Sequence, residues 1–330
     1  MGRAVFLIHI IIREEIIMKK LLALLLVAIL SLGACAMAEG SYTVGICQLV
    51  QHVALDAATQ GFQDALKAKL GDAVTFDVKN ASGDSNTCST IANTFISNGV
   101  DLIMANATPA LQAAVAATGD IPILGTSVTD YATALDIDNW TGATGANVSG
   151  TSDLAPLDQQ AAMLHELFPD AKTVGLLYCS AEPNSKYQVD VIKGYLADLG
   201  YACTEYTFAD SNDVASVTQN ACDGCDVLYI PTDNTAASCT EAIRNVLEPA
   251  MKPAIVGEEG ICAGCGVATL SISYYDLGYA TGEMAYEVLV NGADVATMAV
   301  RFAPNVTKEY NAEMCALLGV QIPDDYVAIQ

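Results

Sequence analysis

Four acidic side chains, Asp130, Glu182, Asp233 and Glu259, each follow closely on an apolar run and stand among small polar residues. A carboxylate so placed can hold a cation. The hydroxyls and amides nearby, Thr108, Ser127 and Ser185 with Gln48, Asn184 and Asn234, can hold an anion or either end of a polar ligand. Taken singly, each acid could equally cap a helix or solvate a loop, so the common position is what joins them. Catalysis finds little support. Past the leader the only histidines are His52 and His165, and neither stands in a nucleophile or metal motif.

The segment from Lys172 to Leu199 shows how such residues are positioned. Its apolar run, Thr173 to Tyr178, ends in a polar turn, Cys179 to Ser185, after which apolar residues recur at Val189, Ile192, Leu196 and Leu199. That pattern predicts strand, loop and helix. Pro183 keeps a helix from crossing the turn, and Asn184 and Ser185 are of the types that accept hydrogen bonds from free helical amides. The loop therefore sits at the carboxyl end of a strand and the positive end of a helix, where parallel α/β sheets collect ligands. An earlier stretch repeats the arrangement: Tyr42 to Ile46, then Cys47 to His52, then Leu55, Ala58, Phe62, Leu66 and Leu70 on one helical face. Two similar halves predict two lobes with facing loops.

Strands are expected over 43–46, 74–78, 101–104 and 121–124, with helices over 53–70, 86–98 and 108–117 between them. Gly142 to Ser152, rich in small residues, reads as a crossover. The second half shows a helix over 157–168 and strands over 173–178, 202–208, 227–230 and 254–256. After an apolar strand over 267–272, an amphipathic helix through Leu277, Ala280, Met284 and Val288 is expected to return to the first lobe, followed by a strand near Ala296 to Phe302. A helix over 312–318 then ends the chain in the second lobe. The predicted fold is α/β, two Rossmann-like lobes with parallel sheets joined by a three-strand hinge. Lobe one comprises 40–150 plus 273–302, and lobe two 151–272 plus 303–330.

With 330 residues, 52% of them hydrophobic, the chain can fill two cores. Residues 1–39 read as a leader. Lys19-Lys20 precedes an apolar run, Leu21 to Leu30, that is too short to span a bilayer and has the shape of a secretory signal. Leu32-Gly33-Ala34-Cys35 resembles the lipobox of bacterial lipoproteins, which implies lipidation of Cys35 and attachment to the bacterial cell membrane. The alternative is cleavage after Ala36-Met37-Ala38 and a secreted or periplasmic protein. Glu14-Glu15 suits no signal start, and translation is expected to begin at Met18, leaving residues 1–17 unmade. Removing residues 1–34 takes away four basic and two acidic side chains, for a net charge of −26. Such a surface repels phosphate backbones, so nucleic acid is not an expected partner.

Ten cysteines follow Cys35, and an exported chain with an even number suggests some disulfides. Cys222-x-x-Cys225 and Cys262-x-x-Cys265 invite a zinc reading. However, the first pair precedes a strand and the second follows one, so about five residues at ~3.3 Å each hold them apart, against zinc–sulfur bonds of about 2.3 Å. No metal and no cofactor are expected.

The motifs Gln48-Leu-Val-x-His52, Gly61-Phe62, Ala107-Thr108-Pro109, Ser127-Val-Thr-Asp130, Asn147-Val-Ser-Gly150, Glu182-Pro-Asn-Ser185, Pro231-Thr-Asp-Asn234 and Tyr274-Tyr-Asp-Leu-Gly278 occur in order over residues 41 to 325. Together they resemble the substrate-binding proteins of ABC transporters, of the tryptophan/tyrosine-type family with the type I periplasmic-binding fold. The resemblance implies a receptor, not an enzyme, that closes on a free amino acid, of aromatic type, and delivers it to a membrane permease driven by an ATPase. It implies that Thr108, Ser127 and Ser185 serve the ligand carboxylate. Asp130, Glu182, Asp233 and Glu259 would serve its ammonium, with Asp233 first. Gln48, Asn184 and Asn234 serve either end, and His52 lines the site. One departure is Glu258-Glu259-Gly260-Ile261, where the family more often has Asp-Glu-Gly and a small polar residue; the longer side chain and apolar bulk bear on ligand size. Two rival readings are a sugar or nucleoside receptor of the same fold and an extracellular redox or metal protein using the CxxC pairs. A cytosolic transcription regulator on this core would carry a DNA-binding head where the export signal stands.

Overall fold

The computed structural model describes residues 41–303 and 305–329; the leader, with the lipidation expected at Cys35, lies outside them. The chain begins with β1 (Tyr42–Gln48), α1 (Val53–Leu70), β2 (Val74–Asn80), α2 (Ser85–Asn98), β3 (Leu102–Asn106), α3 (Thr108–Ala117), β4 (Ile123–Val128), α4 (Tyr131–Ala134) and β5 (Val148–Ser152). It continues through α5 (Leu157–Leu167), β6 (Thr173–Cys179), α6 (Pro183–Asp198), β7 (Ala202–Phe208), α7 (Val214–Gly224), β8 (Val227–Ile230), α8 (Asn234–Ser238), α9 (Thr240–Ala250), β9 (Ala254–Val256), α10 (Glu259–Gly264) and β10 (Ala268–Ser271). It ends with α11 (Tyr274–Leu289), β11 (Arg301–Phe302), β12 (Thr307–Tyr310), α12 (Ala312–Leu318) and β13 (Val327–Ala328).

Two sheets result, with strand orders β11-β5-β4-β3-β1-β2 and β13-β12-β10-β9-β8-β6-β7. All pairings are parallel except β10 against β12. Each sheet with its helices is called a lobe below. Both sheets are covered on two faces, which is why β3 and β8 are apolar without alternation and buried throughout. The apolar residues form separate clusters on the two sides of each sheet. The chain passes between the sheets after β5, after β10 and after β11.

Several expectations change in the structure. The proposed crossover over 142–152 ends as β5, a buried strand of the first sheet. Gly150 permits this, because a Cβ there would lie 2.0 Å from the Gly125 carbonyl oxygen on β4. Most of the strand expected near Ala296 is a short 3-10 turn over Val295–Thr297, capped by Asp294, and only Arg301–Phe302 pairs. Helix α6 starts directly after Glu182 with Pro183 in its first turn, so Asn184 and Ser185 lie inside the helix rather than before it. The ten described cysteines are free thiols where some bridges were expected. Eight of them are buried, and Cys225 and Cys265 donate to the helical carbonyls of Ala221 and Ile261.

Helix α11, arriving from the second sheet, packs closely along α1. A Cβ on Gly61 would lie 2.1 Å from the Tyr275 carbonyl, and one on Gly278 would lie 1.9 Å from the Ala58 carbonyl. Glycine is needed at both positions because the backbones themselves are in contact. This packing sets the amino ends of the two helices, which carry His52 and Tyr274, side by side.

Candidate ligand-binding cleft

In each sheet the strand order reverses, between β1 and β3 in the first and between β6 and β8 in the second. Loops leaving the carboxyl ends of strands diverge at such points and leave a crevice. His52 follows β1, Asn184 follows β6, and Thr232, Asp233 and Asn234 follow β8. They meet around a small, nearly closed cavity. The first lobe and the crossing segments add Leu55, Ser127, Asp153 and Tyr274, while the second lobe adds Ala237 and Glu258. Two hydrogen bonds close the lobes over it, His52 Nε2 with Asn234 Oδ1 at 3.4 Å and Gln188 Nε2 to Thr129 Oγ1 at 3.4 Å.

Four buried atoms facing this cavity have no hydrogen-bond partner: Ser127 Oγ, Asp153 Oδ1, Asn184 Oδ1 and Thr232 Oγ1. A buried polar group left unpaired costs about 1–3 kcal/mol, so four around one small space mark it as built for a polar solute. Their chemistry is specific. Asn184 Oδ1 is an amide oxygen and can only accept, its nitrogen donating towards Glu182, Ser185 and the Thr232 carbonyl, and Asp153 Oδ1 accepts when the carboxyl is ionised. Ser127 and Thr232 bring hydroxyls, which can donate. Ser127 holds a left-handed backbone, φ 55°, the kind of strain that survives where surrounding structure imposes it.

The acids around the cleft differ in how fully they are occupied. Asp233 lines the cavity, yet its carboxylate accepts from the backbone of Cys179 at 2.7 Å and of Ala236 at 2.8 Å. Burial, with the Glu182 charge nearby, pushes its pKa up to about 8. A carboxylate with both oxygens already bonded to amides of its own lobe is a poor counter-charge, and the first choice for the ammonium moves away from it. Glu182 accepts from the backbone and side chains of both Asn234 and Thr235, which fixes the β8–α8 loop. Glu258 caps α10 through the amides of Gly260 and Ile261, and burial pushes it up to about 7. Asp153 is the exception. It is buried just past β5, with Oδ2 accepting from the Tyr274 hydroxyl at 2.9 Å and Oδ1 free; burial raises its pKa, and the hydrogen bond from Tyr274 opposes that rise. Burial lowers the His52 pKa, which favours the neutral ring.

Of the residues expected at the site, His52, Ser127, Asn184, Asp233 and Asn234 line the cavity. Thr108 and Asp130 stand in a neighbouring crevice between the lobes with Pro183 and Tyr187, where Asp130 caps α4. Glu182 faces a groove at the front of the cleft, and Glu259 a pocket beside the crossing segments. Gln48 turns inward to Asp56 and Thr59, and Ser185 is buried beneath Asn184. Asp153, Thr232, Glu258 and Tyr274 were not chosen from sequence. Thr232 and Tyr274 lie within the motifs quoted above, and Asp153 follows the small-residue stretch taken for a crossover. Among the described residues, no three His, Cys, Asp or Glu side chains gather as a metal site.

A family model for ABC transporter substrate binding proteins matches residues 43–329. The chain belongs to that family. Its architecture is the type I periplasmic-binding fold. The chain is 37% identical over 291 residues to the tyrosine-binding protein of Clostridioides difficile (strain R20291), covering 82% of this chain and 84% of that one. The ABC domain from Streptococcus pneumonia in complex with L-Trp matches with a TM-score of 0.82 and 33% identity, covering 86% of this chain and 97% of that one. A ligand-free, open substrate-binding protein with adhesive properties from Clostridium difficile matches at 0.66 and 38% identity, covering 88% and 100%. The chain thus superposes better on the L-Trp complex than on the open protein, although the open protein is nearer in sequence. Substrate-binding proteins of ABC transporters work outside the cytoplasm, and among the described residues no helix is long and apolar enough to cross a membrane.

Proposed function

We propose that this protein binds a free aromatic amino acid, tyrosine or tryptophan, in the cavity between its lobes and hands it to an ABC permease and its ATPase. The observation that carries the reading is the set of four unpaired atoms, which matches a zwitterion. The ammonium is assigned to Asp153 Oδ1 and Asn184 Oδ1, and the carboxylate to the hydroxyls of Ser127 and Thr232. Leu55, Ala237 and the neutral ring of His52 form walls for the ligand side chain. A buried carboxylate without a cation is costly, which favours an ammonium over a neutral sugar. Relatives named for tyrosine and solved with L-Trp support the aromatic class.

In this reading the lobes, 42–152 with 274–302 and 157–271 with 307–329, move about the three crossings. A ligand that touches both stabilises the closed form by its extra contacts. The chain performs no chemistry on its ligand, and Cys35 anchors it to the membrane. The test is a thermal-shift screen of residues 40–330 against amino acids, sugars and nucleosides. A ligand at one hundred times its Kd adds about 2.7 kcal/mol of stability. L-tyrosine or L-tryptophan is expected to give the largest shift; a response confined to sugars or nucleosides would refute the assignment.

A further inference from the structure

The cavity bounded by the four unpaired atoms holds about 10 Å³, room for about one water molecule. An amino acid fits only if a wall gives way. Two larger spaces adjoin it. Toward the crossing segments lies a pocket of about 230 Å³ that shares Glu258 and Tyr274 with the cavity, and at the front lies a groove of about 150 Å³ that shares Asn234. The crevice beside Asp130 and Tyr187 has no free volume.

The two walls differ in strength. Glu258 is held by the amides of Gly260 at 2.7 Å and Ile261 at 2.6 Å, and the Tyr274 hydroxyl by Asp153 at 2.9 Å. At the front, the Asn234 amide is fixed on its nitrogen side by Glu182, but its oxygen meets only the His52 ring, at 3.4 Å. That contact is long, and the ring caps no amide of α1 and makes no other hydrogen bond among the described residues. The spaces beyond differ in kind as well. The pocket toward the crossings brings Glu259 and Glu309 beside Glu258, and Glu309 Oε2 is unpaired; an apolar ring there would cover acids and offer them no hydrogen bond. The groove offers Leu49, Val50 and Pro109 from the first lobe and Ala181 and Ala209 from the second. Its acids, Glu182 and Asp210, already accept from Asn234 and Asn212.

We infer that the ligand's aromatic ring enters between the His52 ring and the Asn234 amide, replacing their contact, and lies in the front groove against Val50. Val50 is then a specificity-determining residue, since it bounds the space left for the ring. This rests on the amino acid reading above and says where the side chain of that ligand goes. The head group stays with the unpaired atoms, and Leu55 and Ala237 flank the start of the side chain. Two flat groups, an imidazole and an amide, face the ring from opposite lobes. A ligand with a short side chain gains none of the groove.

The experiment compares Val50→Trp, which fills the groove, with Val53→Trp, which stands at the pocket toward the crossing segments. Kd for L-tyrosine and L-tryptophan is measured by calorimetry, and the wild-type complex with L-tyrosine is crystallised. Val50→Trp is expected to weaken both ligands at least about tenfold, the burial lost by one aromatic ring, and Val53→Trp by less than about twofold. Electron density should place the phenol ring in the groove, with His52 and Asn234 parted. A ring lying beside Tyr274 and Glu259, or losses of equal size in the two variants, overturns the inference while leaving the receptor reading intact. Wild-type protein that binds no aromatic amino acid overturns both. Circular dichroism identifies a variant that misfolds, and the crystal structure remains decisive if Val50→Trp does not fold.

Discussion

The Tyr274 hydroxyl donates to Asp153 Oδ2 at 2.9 Å although the two residues are 121 positions apart in the chain. Asp153 follows β5 and Tyr274 follows β10, so the bond joins two of the three passages between the sheets. One buried contact thereby links two crossing segments to a cavity-lining acid whose other oxygen is free.

Asp153→Asn is expected to weaken binding of L-tyrosine or L-tryptophan by roughly ten- to a hundredfold, the scale of a charged hydrogen bond at about 1.5–3 kcal/mol. Thermal stability without ligand should not fall, since the change removes a buried unpaired charge. Tyr274→Phe leaves the carboxylate but loosens it, and a smaller loss is expected. Isothermal calorimetry checks both; an Asp153→Asn protein of wild-type affinity would remove this residue from the site.

Gly278→Ala tests the packing that sets His52 beside Tyr274. The added methyl would fall 1.9 Å from the Ala58 carbonyl oxygen, and that atom is backbone, so the helices must separate. Overpacking of this kind costs about 1–3 kcal/mol. Urea denaturation should show the loss as a lower midpoint with an unchanged slope. Ligand affinity is expected to fall as well, because the amino ends of α1 and α11 both line the cavity.

Stability should decline between about pH 4 and pH 8, in part through Asp233. Folded, this carboxyl keeps its proton up to about 8, chiefly because it is buried; unfolded, it loses the proton near pH 4. The folded state therefore binds more protons across that interval. The stabilisation present below about pH 4 is lost as the pH rises toward 8. A single group contributes a slope of at most about 1.4 kcal/mol per pH unit. Asp233→Asn is expected to be less stable, through its altered bonds to Cys179 and Ala236, and to show a flatter profile. Chemical denaturation at several pH values decides it; an unaltered slope would assign the dependence to other acids.

Cys35→Ser should move the protein from the membrane fraction to the soluble one, and metabolic labelling with a fatty acid should lose its signal. Retention of the lipid label would place the anchor elsewhere. Mass spectrometry of the unprocessed precursor tests the start at Met18, and any peptide from residues 1–17 counts against it.

Much of the architecture was legible in the order of the residues. Helices α1 and α3 and strands β7, β8 and β9 have the limits that hydrophobic periodicity and turn residues predict, because these depend on neighbours a few positions away. The repetition of apolar run, polar turn and amphipathic helix was enough to expect two lobes with polar loops at one edge of each. It was less informative where strands carry little apolar surface. β5, with Ser149, Gly150 and Thr151, is a strand only because Gly125 of β4 lies against it.

What the sequence determined by itself, then, was the set of elements, the face on which the loops gather and the residue types available there. The tertiary structure decided which of those groups remain free to bind. Asp233 and Asp153 are the same residue type in similarly buried loops, but the Cys179 amide, 54 positions from Asp233, occupies one of its oxygens, while no group reaches Asp153 Oδ1. A lone pair is available or not according to donors brought from distant segments, and only the folded chain sets those distances.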